Sequence, residues 1–154
     1  MKVSILAVGA MKSGPERTLL DDYIARAAKI GRSLGVRSVE EFDVASGGGR
    51  DAEAARLVSR CPKGAQLVLL DEHGTARTSE DFARDIANWR DQGIGETYFL
   101  IGGAEGNGAA IRSAATTRIA FGPQTWPHKL VRVMVAEQIY RALTILSGMP
   151  YHKV

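Results

Sequence analysis

At 154 residues and 45% hydrophobic content, the chain suits one ordinary globular domain, which buries roughly 68–70% of the surface its unfolded form exposes. Twenty Lys and Arg against 17 Asp and Glu give a net charge of +3 and a pI near 9.2; no block of five like charges occurs, so a polyanionic partner is permitted and not required. No run of about 18 apolar residues appears and Met1 to Ala10 alternates like a strand. The single Cys61 has neither a disulfide partner nor a zinc-spaced neighbour, so a cytoplasmic protein with no membrane segment and no metal is expected.

Apolar periodicity switches repeatedly between two and 3.6, with Gly, Pro or Asp at each switch, as in alternating strands and helices. The first strand is Lys2 to Val8, closed by Gly9. A helix follows from about Pro15 to Leu34, with Leu19, Leu20, Tyr23, Ile24, Ala27 and Ala28 on one face, and Gly35 stops it. The second strand, Arg37 to Val44, alternates poorly, which suggests a sheet edge. Gly47, Gly48 and Gly49 mark a flexible loop, read as a hinge or lid.

A helix over Asp51 to Arg60 leads to the strand Gln66 to Leu70, an unbroken apolar run that Asp71 is expected to end. Ser79 to Trp89 is helical, capped by Thr78 or Ser79. The strand Thr97 to Ile101 opens into the glycine-rich run Gly102 to Gly108. A short helix (Ala109 to Ala115), a strand (Arg118 to Phe121), a stiff loop (Gly122 to His128) and a long helix (Leu130 to Leu146) complete the series. Strands separated by helices predict an α/β fold, a mostly parallel sheet with helices on both faces, in a single domain over residues 1–154.

Ligands of such sheets sit outside the C-terminal strand ends, which selects Leu70 and Asp71, Ile101 to Gly108, and Phe121 to His128. The glycine run matches neither phosphate motif. No lysine lies between Lys63 and Lys129, and the dinucleotide pattern belongs after a first strand, not a fourth. Glu105 in this loop would repel phosphates, so a nucleoside without them fits better; a plain βα turn is the alternative. Pro123 and Pro127 stiffen a loop that carries Gln124, Thr125 and Trp126 and ends at His128; a plain strand-to-helix connection with Trp126 as core is the alternative there.

The last helix is apolar almost all round, which favours a two-fold dimer through it. On it Glu137 and Arg141 are i,i+4 partners, while Arg132 places a cation near the positive N-terminal end. The chain finishes on an aromatic, a titratable and a cationic group, Tyr151, His152 and Lys153.

On these residues the chain resembles the ribosomal RNA large subunit methyltransferase H family of the SPOUT superfamily. The resemblance spans essentially the whole length. It runs through Val8-Gly9, Leu70-Asp71, Leu100 to Gly103 with Glu105-Gly106, Pro127-His128, Leu130 to Val133, Glu137, Tyr140 to Ala142 and Pro150 to Lys153. It departs at Ala104, where many relatives carry proline.

The resemblance implies an α/β-knot, with the C-terminal segment threaded as a trefoil knot, an exception to unthreaded topology. It implies a homodimer that binds S-adenosylmethionine at Leu70, Gly103 and Gly122 to Pro127, and a substrate pseudouridine of 23S rRNA on the assembled ribosome, methylated at N3. In that reading His152 is the base, Arg132 stabilises charge on the ring and Tyr151 stacks on or orients the base. Arg132, Arg141, Lys153 and His128 contact RNA, and the tail holds the substrate base against the cofactor cavity. Two other readings stay open at this point: a ribosome-associated binding module without transfer activity, and a flavodoxin-like redox protein, whose phosphate loop Gly9 to Gly14 matches poorly.

Overall fold

A computed structural model describes residues 1–153. Five strands alternate with five helices: β1 Lys2–Val8, α1 Pro15–Gly31, β2 Ser38–Val44, α2 Arg50–Arg60, β3 Gln66–Ala76, α3 Ser79–Asp91, β4 Glu96–Ile101, α4 Ala109–Ala114, β5 Thr117–Ala120 and α5 His128–Ser147. The sheet order is β2-β1-β4-β3-β5, and all four strand pairings are parallel. The irregular second strand is indeed at an edge.

Alternation along the strands decides which helices cover which face. Val3, Ile5, Ala7, Val68, Phe99 and Ile101 face a core completed by α1, α3 and α5, through Leu20, Phe82, Ile86, Val135, Ile139 and Leu143. Leu6, Val8, Leu67, Leu69 and Leu100 face the other way, onto Ala54 and Leu57 of α2 and Ile111 of α4. Each such buried Leu, Ile or Phe contributes roughly 1.5–3 kcal/mol relative to exposure.

Helix ends follow local chemistry. Pro15 begins α1, and a 3₁₀ turn, Arg32–Leu34, extends it to Gly35, whose φ of +80° ends it in the left-handed region. Thr78 caps α3 by accepting a hydrogen bond from the Asp81 N–H at 3.0 Å. The last helix starts two residues before the expected Leu130, at His128, and stops at left-handed Gly148.

Asp71 does not end β3. Pairing with β5 breaks between Leu70 and Thr75 and resumes through Thr75 and Ala76, because the backbone bulges there. The Asp71 carboxylate accepts the His73 N–H at 3.0 Å inside the bulge. Gly74 lies so close to β5 that a Cβ there would be 2.8 Å from the Ile119 N and the Arg118 carbonyl carbon.

Candidate active site

The three chosen places converge, although the first is a bulge within β3 and not its end. The bulge after Leu70, the glycine run after β4, the loop after β5 and the first turn of α5 enclose one cavity of about 680 Å³, within the range of small-molecule sites. Leu70, Gly103, Gly122, Gln124, Thr125, Trp126, Pro127 and His128 line it. Pro123 belongs to the same loop without lining the wall. Asn107 lies within the selected run Ile101 to Gly108, whereas sequence reasoning missed Arg112 and Val131, whose membership depends on how α4 and α5 are placed, a tertiary matter that leaves no local signal.

Asn107 fastens two walls together by donating from Nδ2 to the Leu70 carbonyl at 3.1 Å. Its Oδ1 sits so near Gly102 that a Cβ there would approach within 2.4 Å, so this loop needs its glycine. The turn closes with Gly106 N–H donating to the Gly103 carbonyl at 3.0 Å. In the third wall the Thr125 hydroxyl donates to Glu72 at 2.6 Å, and the Trp126 indole N–H donates to the Phe121 carbonyl at 3.1 Å. Trp126 is therefore a half-open wall, 39% exposed, and not a core residue.

The lining carries the carboxylates Asp71, Glu72 and Glu105 against the single guanidinium of Arg112, with no lysine. Such a wall favours a cationic ligand over a phosphate. Burial lowers the His128 imidazole below its ordinary value, and the neighbouring charges of Arg132 and Lys129 push the same way.

Arg132 is not in this wall. It is 1% exposed; its Nη2 donates to the Val8 and Gly9 carbonyls at 3.2 and 2.9 Å, and Nη1 lies 3.4 Å from Glu41. Glu41 is also paired with Arg17. The expectation of a cation free to meet RNA or a substrate ring is corrected by this burial: the helix dipole it opposes is outweighed by two carbonyls and a carboxylate. Its contacts tie the start of α5 to the end of β1, underneath the cavity.

The tail is ordered on the opposite stretch of α5. Tyr151 donates to Glu137 Oε1 at 2.9 Å and meets the Tyr140 ring edge-on, with centroids 4.6 Å apart. Arg141 grips the same Glu137 oxygen through Nε at 3.0 Å and Nη2 at 2.6 Å, and its guanidinium lies 4.8 Å from the Tyr151 ring centre. The His152 ring stands between Arg141 Nη1, 3.2 Å from Nδ1, and Glu80 Oε1, 2.9 Å from Nε2. Burial raises the Tyr151 phenol above its ordinary value, so it stays protonated near neutrality. Lys153 is exposed.

This cluster does not touch the cavity of its own chain. His128 and Arg141 are thirteen residues apart on one helix, about 20 Å at about 1.5 Å per residue. The expectation that the tail holds a base against the cavity is not met within a single chain.

The family model described as "Predicted SPOUT methyltransferase" matches residues 1–152. The protein called ribosomal RNA large subunit methyltransferase H from Hyphomonas neptunium is 58% identical over 153 residues, covering 99% of each chain. The chain belongs to that family of SPOUT methyltransferases. Proteins of the same name from Paracoccus denitrificans and Dinoroseobacter shibae are 51% and 48% identical, over 99% and 100% of each chain. A crystal structure of the SpoU methyltransferase AviRb from Streptomyces viridochromogenes, in complex with the cofactor AdoMet, is similar with a TM-score of 0.43 and 16% identity, over 95% of this chain and 58% of that one. In this SPOUT family member no helix among the described residues is long and apolar enough to cross a membrane. No group of three or more His, Cys, Asp and Glu among them is placed to hold a metal ion.

Proposed function

We propose that the chain is an S-adenosylmethionine-dependent methyltransferase acting on N3 of a pseudouridine in 23S rRNA, in the cytoplasm and on the assembled ribosome. The observation that carries this reading is a nucleoside-sized, phosphate-averse cavity at the C-terminal strand ends of a chain 58% identical, end to end, to a protein of that name. The lining fits the cofactor: Leu70, Ile101, Ile119 and Trp126 offer apolar and aromatic faces to an adenine, and Gly103 allows close backbone approach. Asp71, Glu72 and Glu105 complement its positive charge. We include in the proposal one domain over 1–154, threaded as the family's trefoil.

When bound, the cofactor supplies a methyl group on a sulfonium, open to in-line attack. The chain's first task is to hold the acceptor nitrogen behind that methyl, which supplies much of the acceleration. The N3 proton also has to leave, and His152 is the group assigned to receive it. Tyr151 orients the ring. Arg141 stabilises the negative charge that develops on it, and Lys153 and His128 contact RNA.

The roughly 20 Å between His128 and Arg141 makes a homodimer part of the proposal, with the tail of each copy reaching the cavity of the other. Exposed Leu19, Trp126, Leu130 and Met149, together with an apolar groove lined by Leu19, Phe121, Val133 and Met134, offer a surface for that pairing.

The test combines calorimetry with S-adenosylmethionine and mass spectrometry of 23S rRNA, using ribosomes from a strain deleted for the gene. Binding in the micromolar range and a methyl gain on one pseudouridine are expected. Binding without methyl gain would turn the reading toward a ribosome-associated module, and no heat at tens of micromolar protein would overturn it.

A further inference from the structure

Glu80, which neither lines the cavity nor belongs to the tail, makes the shortest contact to the imidazole of His152. Its carboxylate Oε1 lies 2.9 Å from His152 Nε2. The other ring nitrogen, Nδ1, lies 3.2 Å from Arg141 Nη1. A guanidinium has only donors, so Nδ1 must accept there. A neutral imidazole carries one donor and one acceptor, which leaves the proton on Nε2, pointing at Glu80. Both neighbours therefore demand the same tautomer.

We infer that Glu80 is a positioning residue that keeps the His152 proton on Nε2, so that Nδ1 is the nitrogen that takes the proton from the substrate base. The inference rests on the proposed role of His152 in methyl transfer.

The local structure is built for this. Glu80 stands in the first turn of α3, where unpaired backbone N–H groups favour a carboxylate, and the Thr78 cap fixes that turn. The hydrogen bond to His152 is the main cause holding the Glu80 carboxyl below its ordinary range. The charged groups facing the ring are Glu80 from α3 and Arg141 from α5, with Glu137 behind Arg141. Tyr151 adjoins it in the chain and points to the same Glu137.

The proton balance follows. The N3–H bond of the base breaks and an Nδ1–H bond forms, while the S–CH₃ bond breaks and N3–CH₃ forms. His152 becomes an imidazolium whose Nε2–H still donates to the Glu80 carboxylate. For this, the Arg141 Nη1 contact has to yield. At 3.2 Å it is the longest that Arg141 makes here, and the 3.0 and 2.6 Å bonds to Glu137 can remain.

Long-range ¹H–¹⁵N correlation on full-length, ¹⁵N-histidine-labelled protein reads the tautomer directly; the only other imidazoles are His73 and His128. Wild type is expected to show Nε2 protonated. Glu80→Gln retains an acceptor oxygen and keeps that tautomer, with kcat on ribosomes within about threefold of wild type. Glu80→Ala leaves Arg141 alone to favour that tautomer, so Nδ1-protonated ring is expected to appear in exchange with it, and kcat falls about tenfold or more at unchanged KM for S-adenosylmethionine, a part of the roughly 10²–10⁴ that acid–base catalysis contributes. A single Nε2-protonated form in Glu80→Ala, or wild-type kcat in that variant, would overturn the inference. Wild type that neither binds S-adenosylmethionine nor methylates ribosomes would instead sink the methyl-transfer reading; the spectrum still reports whether Glu80 holds the ring.

Discussion

If each reaction centre joins the cavity of one copy to the tail of another, two inactive variants should rescue each other. The first is Gly103→Val. A Cβ at Gly103 would already lie 3.0 Å from Glu53 Oε1 and 3.1 Å from Val8 Cγ1, so the two further methyls drive the loop from its place and cofactor binding is lost. The second is His152→Ala, in the tail beyond α5, where the ring packs on Arg141 about 20 Å along the helix from the cavity wall. Differently tagged copies are co-expressed, and the mixed dimer is isolated by two affinity steps. Of its two centres, one joins the altered cavity to the altered tail and the other joins two intact halves. The mixed dimer should therefore methylate deletion-strain ribosomes at about half the wild-type rate per dimer, whereas each pure variant is inactive. Calorimetry on His152→Ala should show intact cofactor binding. A mixed dimer as inactive as its parents would refute the shared centre, since a centre confined to one chain leaves every copy with one damaged half.

Replacing Arg132 by Ala strands Glu41 with Arg17 alone and leaves the Val8 and Gly9 carbonyls unpaired. A loss of about 3–5 kcal/mol in urea unfolding is expected, the cost of breaking a buried pair from one side; a change below about 1 kcal/mol would show that water takes over those contacts. Thr78→Ala removes the α3 cap and should cost about 1 kcal/mol, measured by the same transition. Burial pushes the Cys61 thiol up to about 11. The folded state keeps the proton that the unfolded chain releases first, so this thiol's contribution is full below the unfolded thiol pKa and is lost as pH rises toward 11. Alkylation of the native protein by iodoacetamide should accelerate only as pH approaches 11; a midpoint near the ordinary thiol value would show Cys61 to be open to solvent.

The strand and helix pattern was legible because the two faces of the sheet are coded locally. Ile5 and Leu6 are neighbours in sequence and face opposite cores, and the turns between elements carry Gly or Pro. The cavity was legible for a related reason: parallel strands run the same way, so the stretch after Leu70 in β3 and the loops after β4 and β5 had to meet. What escaped the reading is polar and long-range. Asp71 looks like a strand terminator, but its carboxylate is absorbed by the His73 N–H within a bulge. Arg132 looks like an exposed cation, because nothing local says that the end of β1, more than a hundred residues away, offers two carbonyls to it. Glu80 looks like an ordinary first-turn acid until the tail folds back onto it.

The α5 helix explains why these polar contacts are distributed as they are. Its first turn closes the cavity through His128 and Val131, and Arg132 directly behind them locks that turn to β1. Three turns further on, Glu137 and Arg141 collect Tyr151 and His152. Along this length Val135, Ala136, Ile139 and Ala142 are fully buried in the core shared with the sheet, α1 and α3, so the helix is a rigid spacer and neither end can move toward the other. A rigid spacer separates the energetics of its ends: changes at the tail should leave cofactor binding untouched, and changes at the cavity should leave the His152 tautomer untouched. Coupling can arise only through a second copy, so any measured effect of His152→Ala on S-adenosylmethionine affinity should vanish when the protein is diluted to monomers.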